Sequence, residues 1–401
     1  MKINNKLAIT ICLYGICSIG AAAQNPVDAI INSIQSNNTD IKANASSIAA
    51  DSIEIASSNY LEDPKVDFEY LFGAPEVGDK WAIGISQGFE WPGIYAARKR
   101  ANRSKMTALS YSHEMKRLEV LMQAKNLCLD LINANKQISV QKSIYDNYKN
   151  LYDKYYEAYQ KGEASIIDLN KLKIEIVDAS QALSELETGR NKIIDDLNAL
   201  NNGNEFTGLA ISDIEEYPVE EFLTLDAYSQ LYMGNDPENN YYDQLNDALE
   251  ADDNVAKMGW FPKFDIGYKY SNEIGDGFNG FTVGASIPLF ANRNKVKAAK
   301  AETVANELTR QNRQITEMAR IKSQFEKAVS LKQQFESYKS ILGDKNCYSV
   351  LEKALEGGQI SLLDYLQEVN YFLNAENKML ELEYQYQLTM AELNKYSLLN
   401  Q

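Results

Sequence analysis

Histidine is all but missing. The 401 residues contain one, His113, so neither a His-based metal cluster nor a catalytic triad can be assembled within a single chain, and a solvated helix face is expected for it. Of four cysteines, Cys12 and Cys17 lie near the start, and Cys128 and Cys347 are too few for a disulfide scaffold. No glycine-rich nucleotide loop occurs, and the segment 272–276 lacks the closing Glu of a calcium loop. The chain therefore reads as no enzyme, with no cofactor and no metal. Positive charge is the minority sign, 40 Lys and Arg against 56 Asp and Glu. The resulting net charge of −16 argues against nucleic acid and against docking on anionic lipid. Beyond the first residues no apolar run approaches the roughly 20 residues of a membrane helix. Such a chain is either soluble or crosses a membrane as strands, since only helices and closed barrels satisfy their backbone in lipid.

What is present begins with an export signal. Lys2 and Lys6 precede an apolar run over residues 7–19, and Ala21, Ala22 and Ala23 supply the small-residue cleavage pattern. Residues 1–23 are expected to be a signal peptide. A retained anchor would need a longer run, and Ile16 before Cys17 argues against a lipoprotein signal.

The remainder is two copies of one plan. Gly162, Ser165 and Asp168 recur in register as Gly358, Ser361 and Asp364. Each copy reads helix, strand pair, very long helix, glycine turn, long helix. The first repeat covers 24–210, with a strand pair at 66–91, a long helix at 94–160 and a helix at 164–202. The second covers 211–401, with a strand pair at 264–289, a long helix at 292–356 and a helix at 360–398. The segment 203–220 reads as the connector, and 74–79 and 272–277 as the hairpin loops.

The strands alternate with period two. Trp81, Ile83, Ile85, Phe89 and Trp91 alternate with Ala82, Gly84, Ser86, Gly88 and Glu90. Val66, Phe68, Tyr70 and Phe72 behave likewise, as do Phe264, Ile266, Tyr268 and Tyr270, and then Phe281, Val283, Ala285, Ile287 and Leu289. A soluble half-buried sheet would share this alternation. Small inner-face residues, the export signal and aromatics at the strand ends (Trp81, Trp91, Phe72, Trp260, Phe261 and Phe290) favour a membrane β-barrel. Ile83, Ile85, Phe89, Trp91, Ile266 and Val283 are then lipid-facing. Four strands cannot close a barrel, because single-chain barrels start at about eight, so the barrel must be shared between subunits.

The proline-free stretches 94–160 and 292–356 would each reach about 100 Å as helix. Val304, Leu308, Ile315, Met318, Phe325 and Val329 form a heptad-like seam, and Tyr145, Tyr148, Tyr152, Tyr155 and Tyr159 form a stripe read as an interhelix contact. Gly343 marks an expected local irregularity.

With its duplicated plan, the segment 85–93 (ISQGFEWPG) leading from strand into helix, its weaker counterpart at 286–290, and the paired Gly-x-x-Ser-x-x-Asp turns, the chain resembles the TolC-type outer-membrane efflux proteins. The resemblance implies an α-dominated fold with a small membrane β element: a homotrimer sharing a 12-stranded β-barrel continuous with a long α-helical periplasmic barrel, four strands from each of three copies. It implies a location in the outer membrane of a Gram-negative bacterium, with a periplasmic extension. It makes Gly162, Ser165 and Asp168, and Gly358, Ser361 and Asp364, the tips that meet a periplasmic adaptor, which couples to an inner-membrane pump of the resistance-nodulation-division (RND) type. Asp364 would line the inner mouth, with Gln367 standing one turn later where a second acid can recur. Mutual repulsion of three such aspartates would raise some of their pKa values. The function implied is the exit duct of a tripartite efflux pump for small molecules or metal ions. Within the same fold a type I protein-secretion channel is the alternative, and outside it a surface coiled-coil adhesive protein.

Overall fold

The alternation that marks the strands is resolved into one sheet in the computed structural model, which describes residues 25–206, 211–342 and 347–400. The expected signal peptide, and Gly343, lie outside these residues. The strands β1 (Lys65–Leu71), β2 (Lys80–Phe89), β3 (Lys263–Glu273) and β4 (Asp276–Ser286) pair antiparallel in the order β1-β2-β3-β4. Directly opposed residues of antiparallel strands share a face. Val66 therefore lies in one row with Ile85, Tyr268 and Phe281, and Phe68 in one row with Ile83 and Tyr270. The other face carries Asp67 and Glu69 beside the small residues Ala82, Gly84 and Ser86, then Asp265, Gly267, Lys269, Thr282 and Gly284. Lys269 bridges Glu69 at 3.0 Å on that polar side.

Two details differ from the sequence reading. The second hairpin turn is not six residues long: pairing continues to Glu273 and resumes at Asp276, leaving Ile274 and Gly275, both at positive φ (55° and 93°), as a two-residue turn. Strand β4 ends at Ser286, so Ile287 and Leu289 lie beyond it.

Nine helices are found among the described residues: α1 (Pro26–Asn37), α2 (Thr39–Ser57), α3 (Pro92–Gln160), α4 (Ile166–Leu200), α5 (Leu225–Asn235), α6 (Pro237–Met258), α7 (Lys295–Leu342), α8 (Cys347–Glu356) and α9 (Leu362–Leu393). The 69 residues of α3 extend about 100 Å at 1.5 Å per residue. Proline at the first turn starts α1, α3 and α6, where its missing N–H costs nothing. No helix of the described residues is long and apolar enough to cross a membrane.

The hydrophobic core is strung along the helices as three clusters. Around the middle of α3, Val27, Ile30, Ile31 and Ile34 of α1 are fully buried against Leu121, Leu131 and Ile132. Each such aliphatic contributes about 1.5–3 kcal/mol on burial. A second mid-length cluster joins Tyr228 and Tyr232 of α5 to Ile321 and Ala328 of α7 and Met390 of α9. The third lies at the far end and contains the tyrosine stripe: Tyr148 is buried, Tyr145, Tyr152 and Tyr155 pack around it, and Tyr159 is exposed.

The α7 seam behaves differently. Val304, Leu308 and Ile315 are 59%, 60% and 72% exposed, because α7 packs on its own chain through the opposite face, with Ala299, Asn306, Ile321 and Ala328. Small Ala residues there let the backbones approach and leave Val304, Leu308 and Ile315 uncovered, while Phe325, lower on the seam, stacks on Phe222 at 5.2 Å. His113 is also not simply solvated: its Nδ1 lies 2.9 Å from Asn44 Oδ1 of α2.

Candidate functional site: two helical tips and a two-faced sheet

The far end of the long helices is built from two turns. Gly162 (φ 79°) and Gly358 (φ 67°) take the left-handed conformation that lets the chain leave α3 and α8. A Cβ at either glycine would meet no atom within 4 Å, so it is the backbone angle, not space, that demands glycine there. Ser165 Oγ then accepts from Ile167 N–H at 3.1 Å and starts α4. Ser361 Oγ accepts from Asp364 N–H at 3.1 Å and starts α9. Asp168 pairs with Lys171 at 3.2 Å.

Asp364 completes a capping box, since its Oδ2 accepts from Ser361 N–H at 3.1 Å and from Ser361 Oγ–H at 2.7 Å. These bonds hold its carboxyl below the usual carboxylate range. Within one chain the shift is therefore opposite to the rise expected from repulsion at a threefold axis.

The two tips are locked side by side. Leu172 of α4 and Leu362, Leu366 and Val369 of α9 are buried against Ile144, Tyr148 and Leu151 of α3. Tyr365 Oη donates to Asn147 Oδ1 at 2.8 Å. Lys154 reaches Glu356 at 2.7 Å and Glu352 at 2.9 Å, ion pairs that hold its ammonium pKa above the ordinary lysine value.

Gln367 is exposed on α9, and so is Glu368, four residues after Asp364. A step of three residues from Asp364 leads to Gln367 and a step of four to Glu368, and both spacings share a helix face. Asp364 and Glu368 thus place two carboxylates on one exposed stripe.

At the opposite end the sheet carries the other candidate residues. Ile83, Ile85, Ile266 and Val283 are 45%, 52%, 54% and 77% exposed on the apolar face. Phe89, opposite Phe264, is half-buried at the strand's end. Trp91 lies past β2, at the N-cap of α3, where its ring stacks on Phe261 at 5.1 Å. From Trp81 to Trp91, ten residue steps at about 3.3 Å span about 33 Å. Tilted by about 40°, that matches the roughly 25 Å apolar band of a membrane barrel. Strands β1 and β4 each leave one edge unpaired. Among the described residues, no group of three or more His, Cys, Asp or Glu side chains is arranged to hold a metal ion.

A family model described as outer membrane efflux protein matches residues 243–397. No curated relative matches the chain. Among solved structures, the fold is similar to the CmeC outer membrane channel of Campylobacter jejuni, with 18% identity, a TM-score of 0.73, and coverage of 93% of this chain and 85% of that one. It is also similar to the outer membrane protein VceC of Vibrio cholerae, with 12% identity, a TM-score of 0.73, and coverage of 92% and 95%. The open state of the MtrE outer membrane channel of Neisseria gonorrhoeae gives 13% identity, a TM-score of 0.73, and coverage of 92% and 88%. At such identities the likeness establishes the fold.

Proposed function

We propose that this chain, which resembles the TolC-type outer-membrane efflux proteins in its family-model match and in its fold, is the outer-membrane exit duct of a tripartite efflux pump. The observation that carries this reading is the sheet: one face mainly apolar, broken only by Gln87, Asn272 and Asn279, one face mainly polar, and two open edges at β1 and β4. Unpaired strand edges in lipid would strand their backbone donors and acceptors. Pairing β4 of one copy with β1 of the next closes a ring, and three copies give twelve strands, enough for a barrel. The exposed α7 seam supports the same assembly, because a second copy would cover Val304, Leu308 and Ile315. The two-repeat organisation accounts for the duplicated strand pairs and tips. The protein so assembled lies in the outer membrane and extends into the periplasm.

In this reading the tips at Gly162, Ser165 and Asp168, and at Gly358, Ser361 and Asp364, face a periplasmic adaptor coupled to an inner-membrane pump, with small molecules or metal ions as cargo. The carboxylates of Asp364 and Glu368 line the inner mouth, and Gln367 adds a neutral side chain between them. The Ser361 hydrogen bonds favour the ionised form of Asp364, and a ring of such carboxylates favours cations.

Purified protein is expected to form trimers that resist alkaline extraction from membranes and conduct ions in planar bilayers. In the same recordings, the Asp364→Asn, Glu368→Gln channel should lose about half or more of the wild-type cation-over-anion preference, because the ring's charge is gone. A protein stripped from membranes by alkali would overturn the duct. Unchanged selectivity in the double variant would remove only the gate assignment.

A further inference from the structure

The net charge of −16 conceals a local reversal. Residues 92–105 carry five Lys or Arg and no Asp or Glu, and residues 291–300 carry four and none. Both segments are the first stretches of chain after an outgoing strand. Two of these cations, along with Lys263 at the start of β3, are neutralised within the chain: Arg98 by Glu90 at 2.7 Å, Lys105 by Asp252 at 2.6 Å, and Lys263 by Glu90 at 3.1 Å and Glu62 at 3.2 Å.

Six of the other seven stand nearest the strands. Lys99, Arg100, Arg103, Arg293, Lys295 and Lys297 are all exposed, and none has an ion-pair partner among the described residues. On α3 the packed positions Ile94, Ala101 and Asn102 lie on one side, and the 99, 100, 103 stripe falls on the opposite side at helical spacing. Asn102 Nδ2 reaches Ile55 O of α2 at 2.7 Å, which fixes that orientation.

Their height matters as much as their charge. The aromatic belt at this end of the sheet consists of Trp91, Trp260, Phe261 and Phe290, 40%, 47%, 45% and 84% exposed. Arg293 follows Phe290 by three residues, and its N–H bonds to Phe290 O at 3.2 Å. From the start of α3, Lys99 is about 10 Å and Arg103 about 16 Å down the helix. Lys and Arg side chains of this length snorkel towards a headgroup layer while their stems stay on the protein.

We propose that these six cations form a collar, directly below the aromatic belt, that binds the phosphates of anionic phospholipid headgroups in the periplasm-facing leaflet. The inference rests on the barrel reading above, which sets the belt at the membrane surface. Basic residues beside a membrane-spanning segment attract anionic lipid individually by about fivefold, and the attraction fades within a Debye length of about 8 Å. The collar thereby fixes how deeply the barrel sits, and it reverses locally what the whole-chain charge implies about anionic lipid.

The test uses the full-length protein in nanodiscs of mixed phosphatidylglycerol and phosphatidylcholine, with the lipid retained on the protein counted by native mass spectrometry. The wild type is expected to enrich phosphatidylglycerol about tenfold over the bulk ratio. Either K99Q/R100Q/R103Q or R293Q/K295Q/K297Q should cut that enrichment to about threefold or less. A control triple far from the sheet, K161Q/K327Q/K339Q, should leave it unchanged. Equal lipid ratios for a stably inserted wild type and both collar variants would overturn the collar alone. So would variants that keep the enrichment but fall apart into smaller assemblies, because the cations would then be pairing with a neighbouring copy. A wild type that does not stay in the nanodisc would sink the barrel, and the collar with it.

Discussion

Ile85→Arg is expected to destabilise membrane assembly by about 2–4 kcal/mol, while its neighbour Ser86→Arg is tolerated. Ile85 sits near the middle of β2, opposite Val66 and Tyr268, in a row that continues to Phe281 on the apolar face. An arginine there places a guanidinium in hydrocarbon with no polar partner in its row. Ser86 is opposite Lys65 and Gly267 on the polar face, where neighbouring glycines leave room and water solvates the charge. The check is the fraction of each variant recovered as detergent-resistant trimer after alkaline washing of membranes. If the two variants assemble equally well, the assignment of faces is wrong, whatever the fate of the rest of the fold.

The second large effect lies far from the membrane. Arg313→Met is expected to cost about 3–5 kcal/mol, as breaking one side of a buried ion pair does. Arg313 of α7 reaches Asp236 at 2.8 Å and Glu238 at 2.5 Å, and the Asp236 side chain is only 4% exposed. Asp236 also caps α6, its Oδ1 accepting from Glu238 N–H at 3.2 Å, so it cannot swing away to water without undoing that helix start. The matching control is Lys322→Met, which breaks an exposed i,i+4 pair and should cost no more than about 0.5 kcal/mol. Denaturant unfolding of the solubilised protein compares the two. Adding Asp236→Asn to Arg313→Met should recover part of the loss, because asparagine still caps but carries no orphaned charge. A cost for Arg313→Met within about 0.5 kcal/mol of the Lys322 control would show that Asp236 is better hydrated than its burial implies.

The two faces of the sheet and the two tips were readable because both are local. Period-two alternation assigns every strand residue to a face, and a glycine followed by Ser and Asp at fixed spacing defines a turn and the helix start after it. His113 and the α7 seam show where locality stops. A lone histidine in a polar helix reads as solvated until another helix brings Asn44 to it, 69 residues away in the chain. The seam announced a packing face by its spacing, yet α7 is buried against its own chain mainly through Ala299, Asn306, Ile321 and Ala328 opposite, with Phe325 alone of the seam joining that core.

Periodicity fixes which residues share a face. It does not fix which neighbour, of this chain or of another copy, that face meets. The sequence by itself determined the alternating strands, the long helices and the glycine turns, all set by backbone preference and spacing over a few residues. Only the tertiary structure decided that β2 pairs with β3, that Tyr365 meets Asn147, that Asp236 is buried on Arg313, and that six cations below the aromatic belt are left without partners. Each of these depends on the relative height of elements far apart in the chain, and that height is set by the summed packing of many side chains, which no local pattern encodes.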